Sequence, residues 1–235
     1  MTVLNILSGG AAQGLVKSLA ATFKTKTGFD IAGEFGAVGA MADKLRKGIA
    51  TDIIILTSAL VTKLAAERLV APSSIKDLGL VETALAVRAR DSKVVVRNAD
   101  DLRKALLASD EIYVPDTTAS TAGIHVAKVL AQLGIADEVA GRLKVFPNGA
   151  TAMRELASSK GRRPIGCTQS TEIISTDGVQ LSGSLPKGCE LATMYTAGVT
   201  TSAAHASEAE ALINLLTSSD ARDARIRAGF ASERG

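Results

Sequence analysis

The sequence predicts an α/β protein of two lobes with a ligand cleft between them. Three observations predict it. Short apolar strands alternate with amphipathic helices from the first residues on, in a βαβαβ order that implies a parallel sheet with helices on its faces. The same alternation resumes over about 84–190. An apolar segment at 190–200 then reads as a strand returning toward the first unit, which places lobe 1 at 1–83 plus 191–235 and lobe 2 at 84–190.

In lobe 1, "VLNIL" (3–7) is a strand, and 12–26 is a helix with Leu15, Leu19 and Phe23 on one face, stopped by Gly28. "DIAGEF" (30–35) is a second strand and 38–47 a second helix, closed by Gly48. "TDIIIL" (51–56) is a buried third strand, followed by a helix at 58–68. Lobe 2 opens with a strand in "ETALAVRA" (82–89) and a helix at 99–108. Strand "EIYVP" (111–115) leads into helix 121–134, strand "RLKVFP" (142–147) into helix 150–159, and "RPIGCTQS" (163–170) is a further strand. After the returning strand come helices at 207–218 and 220–228. These are two Rossmann-like lobes, and a cleft between lobes is a common place for a ligand.

At 235 residues, 46% of them hydrophobic, the chain is long and apolar enough for a substantial core. No run approaches the roughly 18 apolar residues that span a bilayer, so no membrane insertion is expected. A net charge of +3, from 27 basic and 24 acidic residues, is too balanced for a nucleic-acid partner, and 3% aromatics leave no stacking platform. Cys167 and Cys189 lack metal-site spacing and read as buried thiols or one incidental disulfide. His125 and His205 lie far apart, so neither a metal site nor a cofactor is expected.

Four strand-to-helix junctions share one character: small, uncharged and rich in Gly, Ala, Ser or Thr. They are "SGGAAQG" (8–14), "GAVGA" (36–40), "TTASTAG" (117–123) and "NGAT" (148–151). In an open α/β sheet ligands sit at the carboxyl ends of the strands, where helix N-termini offer free N–H groups and partial positive charge to anions. Such small side chains let backbone amides approach a ligand closely. Rival motifs fail on spacing. Gly9, Gly10 and Gly14 miss the Gly-x-Gly-x-x-Gly fingerprint, Leu15 stands where a P-loop needs Lys, and no Gly-x-Ser-x-Gly elbow is present.

The segments "ATFKTKTGFDI", "KLRKGIATDIIILTS", "TAGIHVAKVLAQLGI" and "RIRAGF" resemble the type 2 periplasmic-binding-protein superfamily, and within it the molybdate-binding proteins of ABC importers. The resemblance covers nearly the whole chain. It implies two α/β lobes closing on an oxyanion held by backbone amides and hydroxyls, and a permease as partner. Carried over position by position, Thr121 and Ala122 match one backbone contact and Asn148 and Gly149 another. Three hydroxyls of the molybdate binders fall here on Ala11, on Ala37 or Val38, and on Gln169. The expected ligand is therefore a small anion other than molybdate. The expected ligand-binding residues are Ser8, Gly9, Gly10, Ala11, Gly36, Ala37, Val38, Thr57, Thr121, Ala122, Asn148, Gly149, Thr168 and Gln169. The side-chain amides of Asn148 and Gln169 both donate and accept, which suits a carboxylate. Ser58, Thr117, Ser120 and Thr171 are further hydroxyl candidates, and Arg154 reads as a solvated surface charge.

Aconitate isomerase is similar to this family, so a proton-shifting enzyme on a tricarboxylate is the alternative. His125 is the first candidate base, against a reading as a packed helix residue. Glu172 is the second, against a reading as a cap or hinge ion pair. His205 is expected to be exposed. A ligand-sensing module is a third possibility. A monomer is expected. No basic segment precedes an apolar stretch at the N-terminus. A cytoplasmic location is thus expected for a full-length chain, and a periplasmic one, by the resemblance, if a leader was removed.

Overall fold

The structure is a computed structural model that describes residues 2–231. In chain order it contains β1 (Val3–Gly9), α1 (Gln13–Thr27), β2 (Asp30–Gly36), α2 (Val38–Arg46), β3 (Ile53–Thr57), α3 (Ser58–Ala66) and β4 (Lys76–Arg88). There follow α4 (Ala99–Ala108), β5 (Glu111–Pro115), α5 (Thr121–Gln132), α6 (Ala136–Val139), β6 (Leu143–Phe146) and α7 (Gly149–Ser158). The chain continues with β7 (Pro164–Gln169), α8 (Ser170–Ile174), β8 (Val179–Ser184), β9 (Ala192–Val199), α9 (Ala206–Thr217) and α10 (Arg222–Arg227). It divides into two compact units, Met1–Val81 with Thr193–Gly235, and Glu82–Ala192.

The first unit's sheet runs β2-β1-β3-β9. β1 pairs in parallel with β2 and β3, with Gly9 opposite Gly36 and Ser8 opposite Ile55. This register brings the carboxyl ends of three strands to one edge, where each turns into a helix. β3 is apolar on both faces, and Ile53 to Leu56 are fully buried, as a central strand with helices on either side requires. The core joins Leu4, Ile6, Leu15, Phe23, Leu64 and Leu212 around it.

The second unit orders β4-β7-β5-β6, with β8 also on β4. β5 is parallel to β6 and β7, so Pro115, Phe146 and Gln169 end strands at the same edge. Its core gathers Leu85, Leu102, Ile112, Val114, Val129 and Ile165.

The sheets are mixed rather than purely parallel. β9 runs antiparallel to β3, and β4 antiparallel to β7 and β8. A strand carrying the chain from one unit to the next enters its new sheet from the far end, so a crossover helix is not needed to reverse it. β8, "VQLSGS", is a partner strand that the sequence pattern hides, because its positions are only half buried and carry little apolar alternation. β4 starts at Lys76, earlier than the apolar run suggests. Cys167 and Cys189 are both buried free thiols, and burial pushes the Cys167 thiol up to about 12.

Candidate functional site

In the first unit, three helices begin where β1, β2 and β3 end. β1 passes through a 3-10 turn at Gly10–Ala12 before α1, so the first free amides belong to buried Gly10, Ala11 and Ala12. Ala37 precedes α2 and Thr57 precedes α3. None of these starts has a side-chain cap, and none of the helices carries an acid in its first turn. Their leading N–H groups have no intrahelical acceptor by construction. Ser8 is fully buried and its hydroxyl donates 2.8 Å to the Gly9 carbonyl. A methyl added at Gly9 would lie 2.8 Å from Val38 Cγ1 and 2.9 Å from the Tyr195 ring, so Gly9 is required by packing as well as by any ligand. Ser8, Gly9, Gly10, Ala11, Gly36, Ala37, Val38 and Thr57 thus share one edge of one sheet.

Tyr195 was read only as a strand residue. It is 1% exposed, pairs opposite Thr57 in register and reaches Gly9. No local pattern marks it, because Tyr195 to Val199 are buried without alternation.

In the second unit, β5 leads to α5 through a loop that folds on its own acid. Asp116 Oδ1 accepts from Thr118 N (2.7 Å), Thr118 Oγ1 (2.7 Å) and Ala119 N (2.9 Å). The Thr118 hydroxyl first, then the two amides, hold that carboxyl below its ordinary range. The junction is therefore not free of charge, because Asp116 stands one residue before "TTASTAG". Downstream, Ser120 does not cap α5 and the first turn holds no acid, so the leading amides of Thr121 and Ala122 are left without a helical partner. Thr121 and Ala122 lie at this corner.

The β6–α7 corner differs. Asn148 Oδ1 caps the helix by accepting 2.8 Å from Thr151 N. Glu172, buried at 5% exposure, accepts 2.6 Å from Thr168 Oγ1 and takes the amides of Gly149, Ala150 and Gln169. A methyl at Gly149 would sit 1.9 Å from Glu172 Oε2 and 2.2 Å from Thr168 Oγ1, which excludes any side chain there. Asn148, Gly149, Thr168 and Glu172 are thus brought together, around a carboxylate of the protein itself. Burial pushes the Glu172 carboxyl up, against the opposing hydrogen bonds. Gln169 is buried at the end of β7. Thr171 is buried as well, and its hydroxyl oxygen has no hydrogen-bond partner among the described residues.

His125 lies one turn into α5, half-buried, with Nε2 2.8 Å from the Cys189 carbonyl. No hydrogen bond joins it to Glu172 among the described residues, so the two candidate bases serve separate attachments. Arg154 is exposed and bonds Thr151 Oγ1. His205 is half-buried rather than exposed, because its ring packs edge-on against Phe29 at 5.0 Å. Among the described residues no cluster of His, Cys, Asp and Glu is arranged to hold a metal ion, and no helix is long and apolar enough to cross a membrane.

Two α/β units of this topology are the architecture of the periplasmic solute-binding proteins, and comparison with solved structures shows that fold. The Azotobacter vinelandii periplasmic molybdate-binding protein superposes with a TM-score of 0.82 at 18% identity, over 98% of this chain and 100% of that one. The sulfate-binding protein SubI of Mycobacterium tuberculosis H37Rv superposes with a TM-score of 0.75 at 18% identity, over 98% and 86%. The chain belongs to the bacterial extracellular solute-binding protein family, whose family model matches residues 4–231. It is also similar to a Pseudomonas aconitate isomerase, at 25% identity over 95% of this chain and 86% of the relative.

Proposed function

We propose that the protein binds a small anion other than molybdate, at its strand-end corners, as the solute-binding component of an ABC-type importer. The carrying observation is the set of uncapped, acid-free helix starts behind β1, β2, β3 and β5. The longer helices elsewhere carry either negative charge in the first turn, the usual preference, or, in α7, a side-chain cap from Asn148. α4 has Asp100 and Asp101, α9 has Glu208 and α10 has Asp223. A corner that forgoes both cap and acid is left suited to an outside anion. Molybdate, sulfate and aconitate, named with the relatives above, are all anions. Ala11, Ala37 or Val38, and Gln169, where molybdate binders offer hydroxyls, argue for a carboxylate or another oxyanion.

A thermal-shift panel of sulfate, molybdate, succinate, citrate and trans-aconitate tests this reading. A ligand that binds only the folded state raises the midpoint by mass action. The expected result is a clear rise with one of the non-molybdate anions. A rise with molybdate alone, or with none of the panel, contradicts it.

The second reading, an aconitate-isomerase-like enzyme, is favoured by the curated relative. In that reading His125 carries the proton, since the Glu172 oxygens are already engaged in four hydrogen bonds. Interconversion of trans- and cis-aconitate by the purified chain, lost in His125→Ala, would support it. Absence of turnover would set it aside.

A further inference from the structure

A cavity of about 540 Å³ opens within the Glu82–Ala192 unit at the amino ends of β5 and β7. It lies at the opposite end of β7 from the β5–α5 and β6–α7 corners of the same unit, about 17 Å away by strand rise. Its lining includes the apolar residues Val87, Val94 and Ile165 and the cations Arg90, Arg162 and Arg163. None of the three guanidinium groups has an ion-pair partner among the described residues.

The acids nearby are already engaged. Asp91, on the cavity wall, is held by Arg88 through Nε (2.6 Å) and Nη2 (3.2 Å). Asp110 accepts from Arg162 N (2.6 Å) and Arg163 N (3.0 Å), which pins the loop carrying both arginines while leaving their side chains free. Buried Arg88 also donates to the carbonyls of Ser159 and Gly161, and Arg90 Nη2 donates 3.2 Å to the Ser159 carbonyl. The two segments that carry these cations are therefore fastened to each other before any ligand arrives.

We propose that this cavity is a second anion site, separate from the strand-end corners, that takes a phosphate monoester with a compact apolar body. A monoester carries close to two negative charges at neutral pH. Guanidinium groups match phosphate oxygens bidentately and are weakly hydrated, so they give up water at lower cost than ammonium groups. The volume exceeds that of a bare ion and falls in the range of small-molecule sites. The apolar part of the lining stays wet under inorganic phosphate and becomes dry under an ester.

The test is a titration of the whole, isotope-labelled chain with phenyl phosphate, followed by amide chemical shifts, with inorganic phosphate and phenol as separate controls. The amides of Arg90, Ser92, Ser109 and Ile165 are expected to move. Phenyl phosphate should bind at least about tenfold more tightly than either fragment. The Arg162→Ser/Arg163→Ser double variant, altered only at exposed side chains, should weaken it by at least about tenfold, in keeping with lost charge-assisted hydrogen bonds. Arg90→Ser provides an independent variant with the same expected direction. Shifts confined to the Gly10, Thr121 and Ala122 amides, unchanged affinity in these variants, or equal affinity for inorganic phosphate would overturn the proposal.

Discussion

The corners of the first unit and the β6–α7 corner of the second start from the same local design: a parallel strand, a short small-residue turn and a helix N-terminus. They differ in occupant. Behind β1, β2 and β3 no side chain caps the helix and no acid stands in the first turn. Behind β6, Asn148 caps the helix and Glu172 reaches in from α8 to take the Gly149 and Ala150 amides. The difference teaches that small residues at such a junction do not by themselves mean a place for a ligand. Gly149 is small because the protein's own carboxylate fills the space that a side chain would need.

The largest effect is expected from Gly149→Ala. Its methyl would overlap Glu172 Oε2 at 1.9 Å. Displacing a buried, four-fold hydrogen-bonded carboxyl should cost on the order of 3 kcal/mol, read as a lowered urea midpoint. A near-neutral result would mean that Glu172 does not occupy this corner.

Next is Glu172→Gln, expected to cost about 2 kcal/mol near pH 5, since the amide brings two hydrogens where the protonated carboxyl brings one, into a corner lined by N–H and O–H donors. Burial holds the folded carboxyl above its ordinary 4.5, so the folded state binds this proton more tightly than the unfolded chain does. That contribution is complete below about pH 4.5 and declines as pH rises toward the raised value. The stability gap between wild type and variant should therefore narrow from pH 5 to pH 8 in denaturant titrations. A gap that widens reverses the assigned sign.

A smaller effect, of opposite direction, comes from giving the first unit what the second already has. Ala37→Asp places a carboxylate at the start of α2, where the backbone (φ −63°, ψ 133°) is compatible with an N-cap. It should stabilise the fold by about 1 kcal/mol and weaken binding of anions. Stabilisation without any loss of anion affinity would remove α2 from the site. Asn148→Ala, losing the cap on Thr151 N, should cost about 1 kcal/mol and leave anion affinity at the first-unit corners unchanged.

The α/β alternation was legible because strands such as "TDIIIL" and helices such as that carrying Leu15, Leu19 and Phe23 bury whole faces. The antiparallel strands were not, since strand direction follows from where the chain enters a sheet and not from residue type. β8 escaped because half-buried "VQLSGS" lacks an apolar period. The corner residues were found from size and spacing. What lay beyond reach was their long-range partners: nothing near "NGAT" in sequence announces Glu172, and nothing near "SGG" announces Tyr195. Asp116 was readable, because an Asp before two threonines at a strand end is a common turn opening.

The most direct measurement of the central claim is calorimetric titration of wild type and Gly10→Val with the panel anion that binds wild type. Gly10 is buried in the turn that begins the first corner, and a branched side chain there would stand between the amides and an anion. The account predicts that the heat of binding disappears in Gly10→Val while the circular dichroism spectrum and cooperative melting of the fold persist. Unchanged affinity in a folded Gly10→Val protein would contradict it.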